Sequence, residues 1–218
     1  MRTLGFFLLY KVIMRYFLSW IVGVKWINKE HLRGKGPFIF VSNHNSHLDT
    51  MAILAALPAK QIPTTHPVAA LDYFGNSRLK KKITRFLTNA ILIDRNRDSN
   101  KQSPTNRMVN YLDRNHSIIL FPEGSRGAPE QLQHFQKGIG ALLDRRPDVA
   151  YIPIYMSGMG KVLPKGEKVL VPFVSYVIVG EPRKVKASGV EDIVAEVTAA
   201  VRSLEEALKE AIRTPSGE

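Results

Sequence analysis

Residues 38–56 read FIFVSNHNSHLDTMAILAA, and this stretch decides the class of fold. Its first five residues form an apolar run that is typical of a strand buried on both faces of a sheet. A polar loop follows, and the segment from His47 to Ala56 is predicted to be a helix that stops before Pro58. A strand, a polar turn and a helix in this order indicate an α/β protein.

The same alternation of short apolar strands and helices continues along the chain. Further strands are predicted at 67–70, 90–93, 117–121 and 149–156 and within 168–179, and further helices at 76–88, 104–114, 137–144 and 190–213. This pattern predicts an α/β fold whose central, mostly buried, mixed sheet is flanked by helices.

The N-terminal segment, 1–36, differs from the rest of the chain. It is almost wholly apolar from Leu4 to Val24, and its few polar residues, Lys11, Arg15 and Ser19, recur every four residues as one narrow stripe on a helix. We interpret it as an amphipathic, membrane-associating helix that lies in the interface with snorkelling cations. A spanning helix and a helix packed on the protein's own core are the alternatives.

The remainder, 37–214, is predicted to be the main domain of a strongly basic chain. Thirty-one Lys and Arg residues stand against nineteen Asp and Glu residues, which gives a formal net charge of +12. Such an excess favours a polyanionic partner, either nucleic acid or an anionic membrane surface. The chain contains no cysteine, which excludes disulfides, zinc–thiolate sites and thiol nucleophiles.

Three polar clusters each follow a predicted strand. NHNSHLD follows the strand at 38–42, DRNR follows the strand at 90–93, and PEGSRG follows the strand at 117–121. Ligand-binding residues of α/β sheets gather at strand ends and in the loops beyond them. The three clusters could therefore line one pocket.

His44 and Asp49 in the first cluster are candidates for an acid–base pair. If a helix begins just after His44, Asp49 lies about one turn into it and can reach back to the imidazole, which fixes the tautomer. A metal site that also uses His47 is a second interpretation, although no third and fourth ligand are evident. A helix start with a buried, satisfied His44 is the third, and the heptapeptide alone leaves these alternatives open.

The third cluster suits an anionic, oxygen-rich group such as a phosphate. It combines a carboxylate, glycines that expose backbone N–H groups, a hydroxyl and Arg126, whose guanidinium can donate two parallel hydrogen bonds. Arg95 and Arg97 in the second cluster offer another cationic clamp.

Together these motifs resemble the lysophosphatidate (1-acylglycerol-3-phosphate) acyltransferase family, within the wider glycerolipid acyltransferase group. Four family blocks appear in order, with the spacing of the family, between about Phe38 and Gly180: NHNSHLD, AILIDR, FPEGSRG and VAYIPIYMSG. The resemblance implies the glycerolipid acyltransferase fold and makes 37–214 an acyltransferase domain.

The resemblance also implies the roles of the site residues. His44 would be the general base on the acceptor hydroxyl, and Asp49 would orient it and stabilise its charge. The glycerol phosphate would be held by Arg95, Glu123 and Arg126, in a loop shaped by Gly124 and Ser125. The acyl donor would be an acyl-CoA or acyl carrier protein thioester, which serves as co-substrate and is attacked directly, and no metal and no further cofactor are expected.

The expected function is acyl transfer to the hydroxyl of a lysophospholipid, with 1-acylglycerol 3-phosphate, which gives phosphatidate, as the first candidate. The expected partners are this acceptor, the acyl thioester donor, with acyl carrier protein as one candidate carrier, and an anionic membrane surface, with no nucleic acid. The N-terminal helix and the basic helix 76–88 would hold the active site at the bilayer, on the cytoplasmic face of the cell membrane.

Other functions remain open alternatives. Asn89 and Leu92 replace the Gly and Phe that usually precede I-D-R in the family, and a lysine often found between the first two blocks is replaced near Ala69 and Ala70. These departures leave room for glycerol 3-phosphate or a phosphate-free lyso-lipid, such as a lyso-ornithine lipid, as the acceptor. From other classes, the alternatives are a non-catalytic basic membrane- or nucleic-acid-binding module and a metal-dependent hydrolase of phosphate esters or thioesters.

Overall fold

A seven-stranded mixed sheet forms the centre of the molecule within the residues that the structure describes. The structure is a computed structural model, and it describes residues 2–71, 77–94, 103–125, 131–162 and 171–213. The strands are β1 Val24–Ile27, β2 Phe38–Ser42, β3 Thr65–Ala70, β4 Ile91–Ile93, β5 Ser117–Leu120, β6 Ala150–Ser157 and β7 Ser175–Val179. Their order in the sheet is β1-β7-β6-β2-β5-β3-β4. The predicted α/β class with a central mixed sheet is confirmed.

The direction of the strands places the polar loops on one edge of the sheet. β2 pairs in parallel with β5 and β6, and β3 pairs in parallel with β5 and β4. β7 is antiparallel to β6 and parallel to β1, so these two strands run the other way. Because β2 to β6 share one direction, their carboxyl ends meet at one edge, which we call the carboxyl edge.

Helices cover both faces of the sheet. The first helix, α1, covers residues 2–22, with α-helical turns at Arg2–Phe7 and π-helical turns at Leu8–Met14 and Phe17–Val22. The other helices are α2 Leu48–Ala56, α3 Arg78–Thr88, α4 Pro104–Asp113, α5 Lys137–Arg145, α6 Met159–Val162 and α7 Val190–Arg213. Short 3₁₀ turns lie at Lys29–Leu32 and Ile62–Thr64.

Burial on both faces explains why four of the five residues of β2, the central strand, are apolar. Its five residues are all buried, and alternate side chains point to opposite faces of the sheet. Phe38 and Phe40 join the core under α1 and α2. Ile39 and Val41 join the core under α4, α5 and α7. A strand that is sandwiched in this way has no position left for a solvated side chain.

The N-terminal segment contributes a strand as well as a helix. α1 ends at Gly23, whose φ of 85° lies in the left-handed region, and β1 begins at the next residue. β1 then pairs with β7 from Val24 to Ile27. The sequence pattern missed β1, because the apolar run continues from the helix into the strand without a polar break. The predicted division at residue 36 stays a prediction.

α1 turns its cations toward the protein. The Lys11 ammonium donates a hydrogen bond to the Ala55 carbonyl oxygen at 3.0 Å, and the Arg15 guanidinium lies 5.0 Å from the centre of the Trp26 ring. The charged groups of Lys11 and Arg15 therefore contact the protein and do not extend away from it, as the predicted snorkelling would require. The carbonyl end of α2 and the electron-rich face of Trp26 attract them instead.

The outer face of α1 is apolar. The helix Thr3–Val22 is long and apolar enough to cross a membrane, by length and composition alone. In the fold, part of it is buried against the core, as the alternative of a core-packed helix expects, and many of its other apolar side chains are exposed. The buried side chains are Phe6, Tyr10, Leu18 and Val22. The predicted association with a membrane stays a prediction.

Candidate active site

The loop between β2 and α2 carries the first predicted cluster and is pinned to the neighbouring strand. The Asn43 side chain donates from Nδ2 to the Met156 carbonyl oxygen at 2.8 Å, and its Oδ1 accepts from the Met156 N–H at 2.8 Å. Both groups are buried, so these two hydrogen bonds satisfy the end of β6 and the start of the loop together. The residue after Asn43 is thereby held at the carboxyl edge.

His44 and Asp49 form the predicted pair. Nδ1 of His44 lies 2.9 Å from Oδ2 of Asp49, and the Asp49 side chain is fully buried. The same oxygen accepts the backbone N–H groups of Asn45 at 2.7 Å and Ser46 at 2.8 Å. A carboxylate oxygen accepts, so Nδ1 must donate, and the lone pair of the neutral imidazole is then on Nε2.

Asp49 is in the first turn of α2, where a carboxylate is favoured. The N-terminus of a helix carries partial positive charge from its unpaired N–H groups, which stabilises a buried anion. The Ser46 hydroxyl oxygen accepts the Leu48 N–H at 3.3 Å, which satisfies one of those groups. The start of α2 and the His44–Asp49 hydrogen bond therefore involve the same short loop. The helix-start interpretation and the acid–base interpretation of this loop are compatible.

The His44 ring is oriented by Phe121 and remains partly exposed. The two rings stack with centroids 4.2 Å apart and an interplanar angle of 22°. The His44 side chain keeps 21% of its surface exposed. The imidazole is thus fixed on one nitrogen and on one face, and part of the side chain remains accessible to solvent. This geometry is compatible with a general base.

Glu123 joins the first and third clusters. One of its oxygens accepts the His44 N–H at 3.2 Å, and the other accepts the Gln133 N–H at 3.2 Å. Burial raises the pKa of Glu123 to about 7, because the hydrogen bonds from Gln133 and His44 offset only part of the desolvation. In the structure this carboxyl braces two loops, and its predicted contact with the acceptor stays a prediction.

The other predicted residues of the third cluster lie beside this brace. Gly124 has a φ of 79°, in the left-handed region that favours glycine, and its N–H donates to the Phe121 carbonyl oxygen at 3.1 Å. Ser125 is exposed. Arg126 lies outside the described residues.

The second cluster follows β4, which ends at Ile93 on the same carboxyl edge. β3 separates this strand from β5 in the sheet. Arg95 and Arg97 lie outside the described residues. The cationic clamp predicted from Arg95 and Arg97 therefore stays a prediction.

The metal interpretation depends on His47 and on further ligands near it. His47 is exposed at the start of α2 and is not a member of the His44–Asp49 pair. Within the described parts of the chain, no group of three or more His, Asp and Glu side chains is placed to hold a metal ion.

Two further features were not predicted. Asn43 and Phe121 position His44, and only their places inside the first and third motifs could have suggested this. His66 and His116 lie far apart in sequence, yet Nε2 of His66 is 2.8 Å from Nδ1 of His116. This pair sits near the amino ends of β3 and β5, at the edge opposite His44, and the histidine spacing in the sequence did not indicate it.

Comparison with known proteins identifies the family of this chain. The Acyltransferase family matches residues 23–157, which is more than half of the chain and includes both His44 and Glu123. A chloroplastic 1-acyl-sn-glycerol-3-phosphate acyltransferase of Arabidopsis thaliana is 24% identical over 132 residues, 61% of this chain and 35% of the plant protein. The human 1-acyl-sn-glycerol-3-phosphate acyltransferase alpha is 28% identical over 128 residues, 58% of this chain and 43% of the human protein.

A solved structure shows the same fold. The crystal structure of the 1-acyl-sn-glycerophosphate acyltransferase PlsC from Thermotoga maritima superposes with a TM-score of 0.70 at 19% identity, covering 94% of this chain and 81% of that one. The chain spans less than half the length of the plant and human relatives that it matches. The family match, the fold and the placement of the motifs agree, and the chain belongs to the acyltransferase family.

Proposed function

We propose that this protein transfers a fatty acyl group from a thioester to the hydroxyl of a lysophospholipid, with 1-acylglycerol 3-phosphate as acceptor and phosphatidate as product. The observation that carries the proposal is the His44–Asp49 pair at 2.9 Å, held at the carboxyl edge with the His44 side chain partly exposed. The family match supports acyl transfer as the reaction class.

The proposed reaction is a direct attack of the acceptor on the thioester. Nε2 of His44 removes the proton as the acceptor oxygen bonds to the acyl carbon, and buried Asp49 stabilises the imidazolium that forms. The carbon–sulfur bond then breaks, and the thiolate leaves and takes the proton from His44. The products are an ester and a free thiol, and His44 returns to its starting state.

The choice of a phosphate-bearing acceptor rests on the motifs and on the relatives. The names of the plant and human relatives both specify 1-acyl-sn-glycerol 3-phosphate as substrate. Arg95 and Arg126 are the groups proposed to bind the phosphate, since a guanidinium forms two parallel hydrogen bonds with such an anion. The proposed donor is acyl-CoA or an acyl carrier protein thioester, with no further cofactor and no metal.

The proposed site of action is an anionic membrane surface, on the cytoplasmic face of the cell membrane. A lysophospholipid and a diacyl product both reside in lipid, so the enzyme must meet them there. The net charge of +12 and the apolar outer face of α1 suit such a surface.

An acceptor panel tests the proposal. The purified chain is given acyl-CoA or acyl carrier protein thioester, and product formation is followed by mass spectrometry with 1-acylglycerol 3-phosphate, glycerol 3-phosphate or a lyso-ornithine lipid as acceptor. We expect the highest turnover with 1-acylglycerol 3-phosphate. A preference for either other acceptor would contradict the substrate, and no transfer to any acceptor would contradict the reaction.

The rival functions give different results in the same assay. A metal-dependent hydrolase would release free fatty acid or phosphate and would stop in excess chelator, whereas the proposed transfer continues. A basic binding module would show salt-sensitive binding to lipid or nucleic acid and no product at all.

A further inference from the structure

α3 exposes the face that a helix of a globular protein normally buries. Leu79, Ile83 and Phe86 recur at helical spacing and form one apolar face. Their exposed fractions are 67%, 47% and 76%. An apolar helix face of this kind marks a surface that another body covers.

This face is on the same side of the sheet as α1. The Tyr10 hydroxyl of α1 donates to the Leu87 carbonyl oxygen of α3 at 2.8 Å, so the two helices are in contact. α1 in turn exposes a long row of apolar side chains: Leu4, Phe7, Leu8, Val12, Ile13, Tyr16, Trp20 and Ile21. The two helices therefore lie on one side of the sheet, whereas α4, α5 and α7 pack on the opposite face.

A third apolar segment lies at the carboxyl edge. Val171, Phe173 and Val174 are exposed just before β7. This segment adjoins the end of α1, since the Ser175 N–H donates to the Gly23 carbonyl oxygen at 3.2 Å. The ends of α1 and β6, the residues before β7 and the loop that carries His44 thus share one edge of the sheet.

The charges around these apolar side chains indicate what kind of partner covers them. The sequence of α3, RLKKKITRFLT, contains five cations and no acid, and Arg78 and Lys82 are exposed beside the apolar face. The Lys161 ammonium lies 4.7 Å from the centre of the Phe173 ring. A second copy of this basic chain would bring like charges together, and a nucleic acid would leave the apolar side chains in water. An anionic bilayer offers acyl chains to Phe86 and negative headgroups to the cations.

We propose that α3 is a second membrane-inserting element, which forms with α1 and residues 171–174 one surface that seats the carboxyl edge on an anionic lipid bilayer. This inference rests on the membrane-surface part of the proposed function and extends it. Leu79, Ile83 and Phe86 enter the headgroup–acyl boundary, and Arg78 and Lys82 remain at headgroup level.

A site-specific spin label tests this directly, because the natural chain has no cysteine. Phe86→Cys and, as the matched control, Ile212→Cys each receive one nitroxide; Ile212 is an exposed apolar residue of α7 on the other side of the sheet. With vesicles of phosphatidylcholine and phosphatidylglycerol, the label at 86 should gain contact with oxygen and lose contact with a water-soluble nickel complex. The label at 212 should keep its aqueous profile.

Two results would overturn the inference. A label at 86 that stays aqueous, while a Trp20→Cys label enters the lipid, would leave α1 as the membrane element and exclude α3. Dipolar broadening of the label at 86 without vesicles would show that a second copy covers α3.

Binding constants give an independent check. Phe86→Gln should bind the mixed vesicles about tenfold more weakly than Ile212→Gln, since it removes one buried aromatic side chain from the lipid contact. Arg78→Gln with Lys82→Gln should lose about tenfold or more on the mixed vesicles and nothing on phosphatidylcholine alone. Equal binding by Phe86→Gln and Ile212→Gln would contradict α3 insertion.

Lipid contact and acyl transfer are separable in these variants. Phe86→Gln should transfer acyl groups normally to an acceptor dispersed in detergent. Lost vesicle binding with normal transfer supports the inference, whereas lack of transfer by the natural chain would contradict the proposed function instead.

Discussion

Among single residues, one oxygen atom of Asp49 fixes the orientation of the His44 ring. Oδ2 of Asp49 accepts the imidazole N–H together with two backbone N–H groups, and it is shielded from water. A buried negative charge held in this way would strongly attract a positive charge on the neighbouring imidazole, because little solvent screens it. The acid is therefore as important to the proposed reaction as the base.

Asp49→Asn should keep the fold and lose most of the transfer. The amide oxygen can still accept the N–H groups of Asn45 and Ser46, but the negative charge that stabilises the imidazolium is gone. We expect the initial rate of acyl transfer to fall by about 10²- to 10⁴-fold. His47→Ala is the matched control, since it changes an exposed histidine in the same loop. A rate for Asp49→Asn equal to that of this control would exclude Asp49 from the reaction.

Glu123 should make the stability of the protein depend on pH. Its pKa rises from 4.5 to about 7 on folding, so between these values the folded state holds a proton that the unfolded state has released. The free energy of unfolding therefore falls as the pH rises through this window. Glutamine does not titrate. From the lower to the upper end of this window, the free energy of unfolding of Glu123→Gln should therefore rise by about 3 kcal/mol relative to that of the natural protein.

Urea denaturation at several pH values between 4 and 8 measures this difference. Glu210→Gln, which changes an exposed carboxyl of α7, is the control. If the free energies of unfolding of Glu123→Gln and the natural protein differ by the same amount at every pH, the pKa of Glu123 is not raised by folding.

At the scale of elements, the packing of α5 on α7 depends on one glycine. A Cβ atom on Gly140 would lie 2.3 Å from the Val190 carbonyl oxygen and 2.9 Å from a methyl group of Val194. Gly140→Ala should therefore force the helices apart and destabilise the protein by about 1–3 kcal/mol. Gly138 lies in the same helix with open space around it, so Gly138→Ala should be neutral or stabilising by up to about 1 kcal/mol.

Thermal or urea unfolding of both variants decides this prediction. Opposite effects are expected because the two positions share the helix and differ in their neighbours. Equal losses of stability would mean that helix α5 requires glycine for a reason other than its contact with α7.

The elements also show what the sequence can and cannot predict. β2, α2 and α7 were predictable because their apolar patterns are uninterrupted and their ends are marked by polar residues or proline. β1 was not, because nothing polar separates it from α1. The inward position of Lys11 was also unpredictable, since its partner is a carbonyl group at the end of α2 and not a side chain.

At the scale of the whole molecule, strand order limits what can be predicted about the site. The sequence indicated three polar clusters at strand ends, and the parallel β2, β4 and β5 do place their ends on one edge. The brace through Glu123 and the contact between His66 and His116 depend on which loops and strands become neighbours. Spacing along the chain does not contain that information.

The two faces of the sheet have different environments. α7 and its neighbours close one face with a regular amphipathic arrangement, and the α1–α3 side leaves apolar side chains in the open. The carboxyl edge that carries His44 adjoins that apolar side. A base at this edge would meet an acceptor that stays in the lipid, so membrane contact and acyl transfer are proposed for the same edge.

Acyl transfer by His44→Ala, measured beside His47→Ala with the same acceptor and thioester donor, tests whether His44 is the base of the reaction. Removing the imidazole leaves Asp49 its hydrogen bonds from Asn45 and Ser46, so the fold and vesicle binding should persist. We expect the transfer rate of His44→Ala to fall by about 10²- to 10⁴-fold while His47→Ala keeps the natural rate. Transfer by a folded His44→Ala at the rate of His47→Ala would contradict the account.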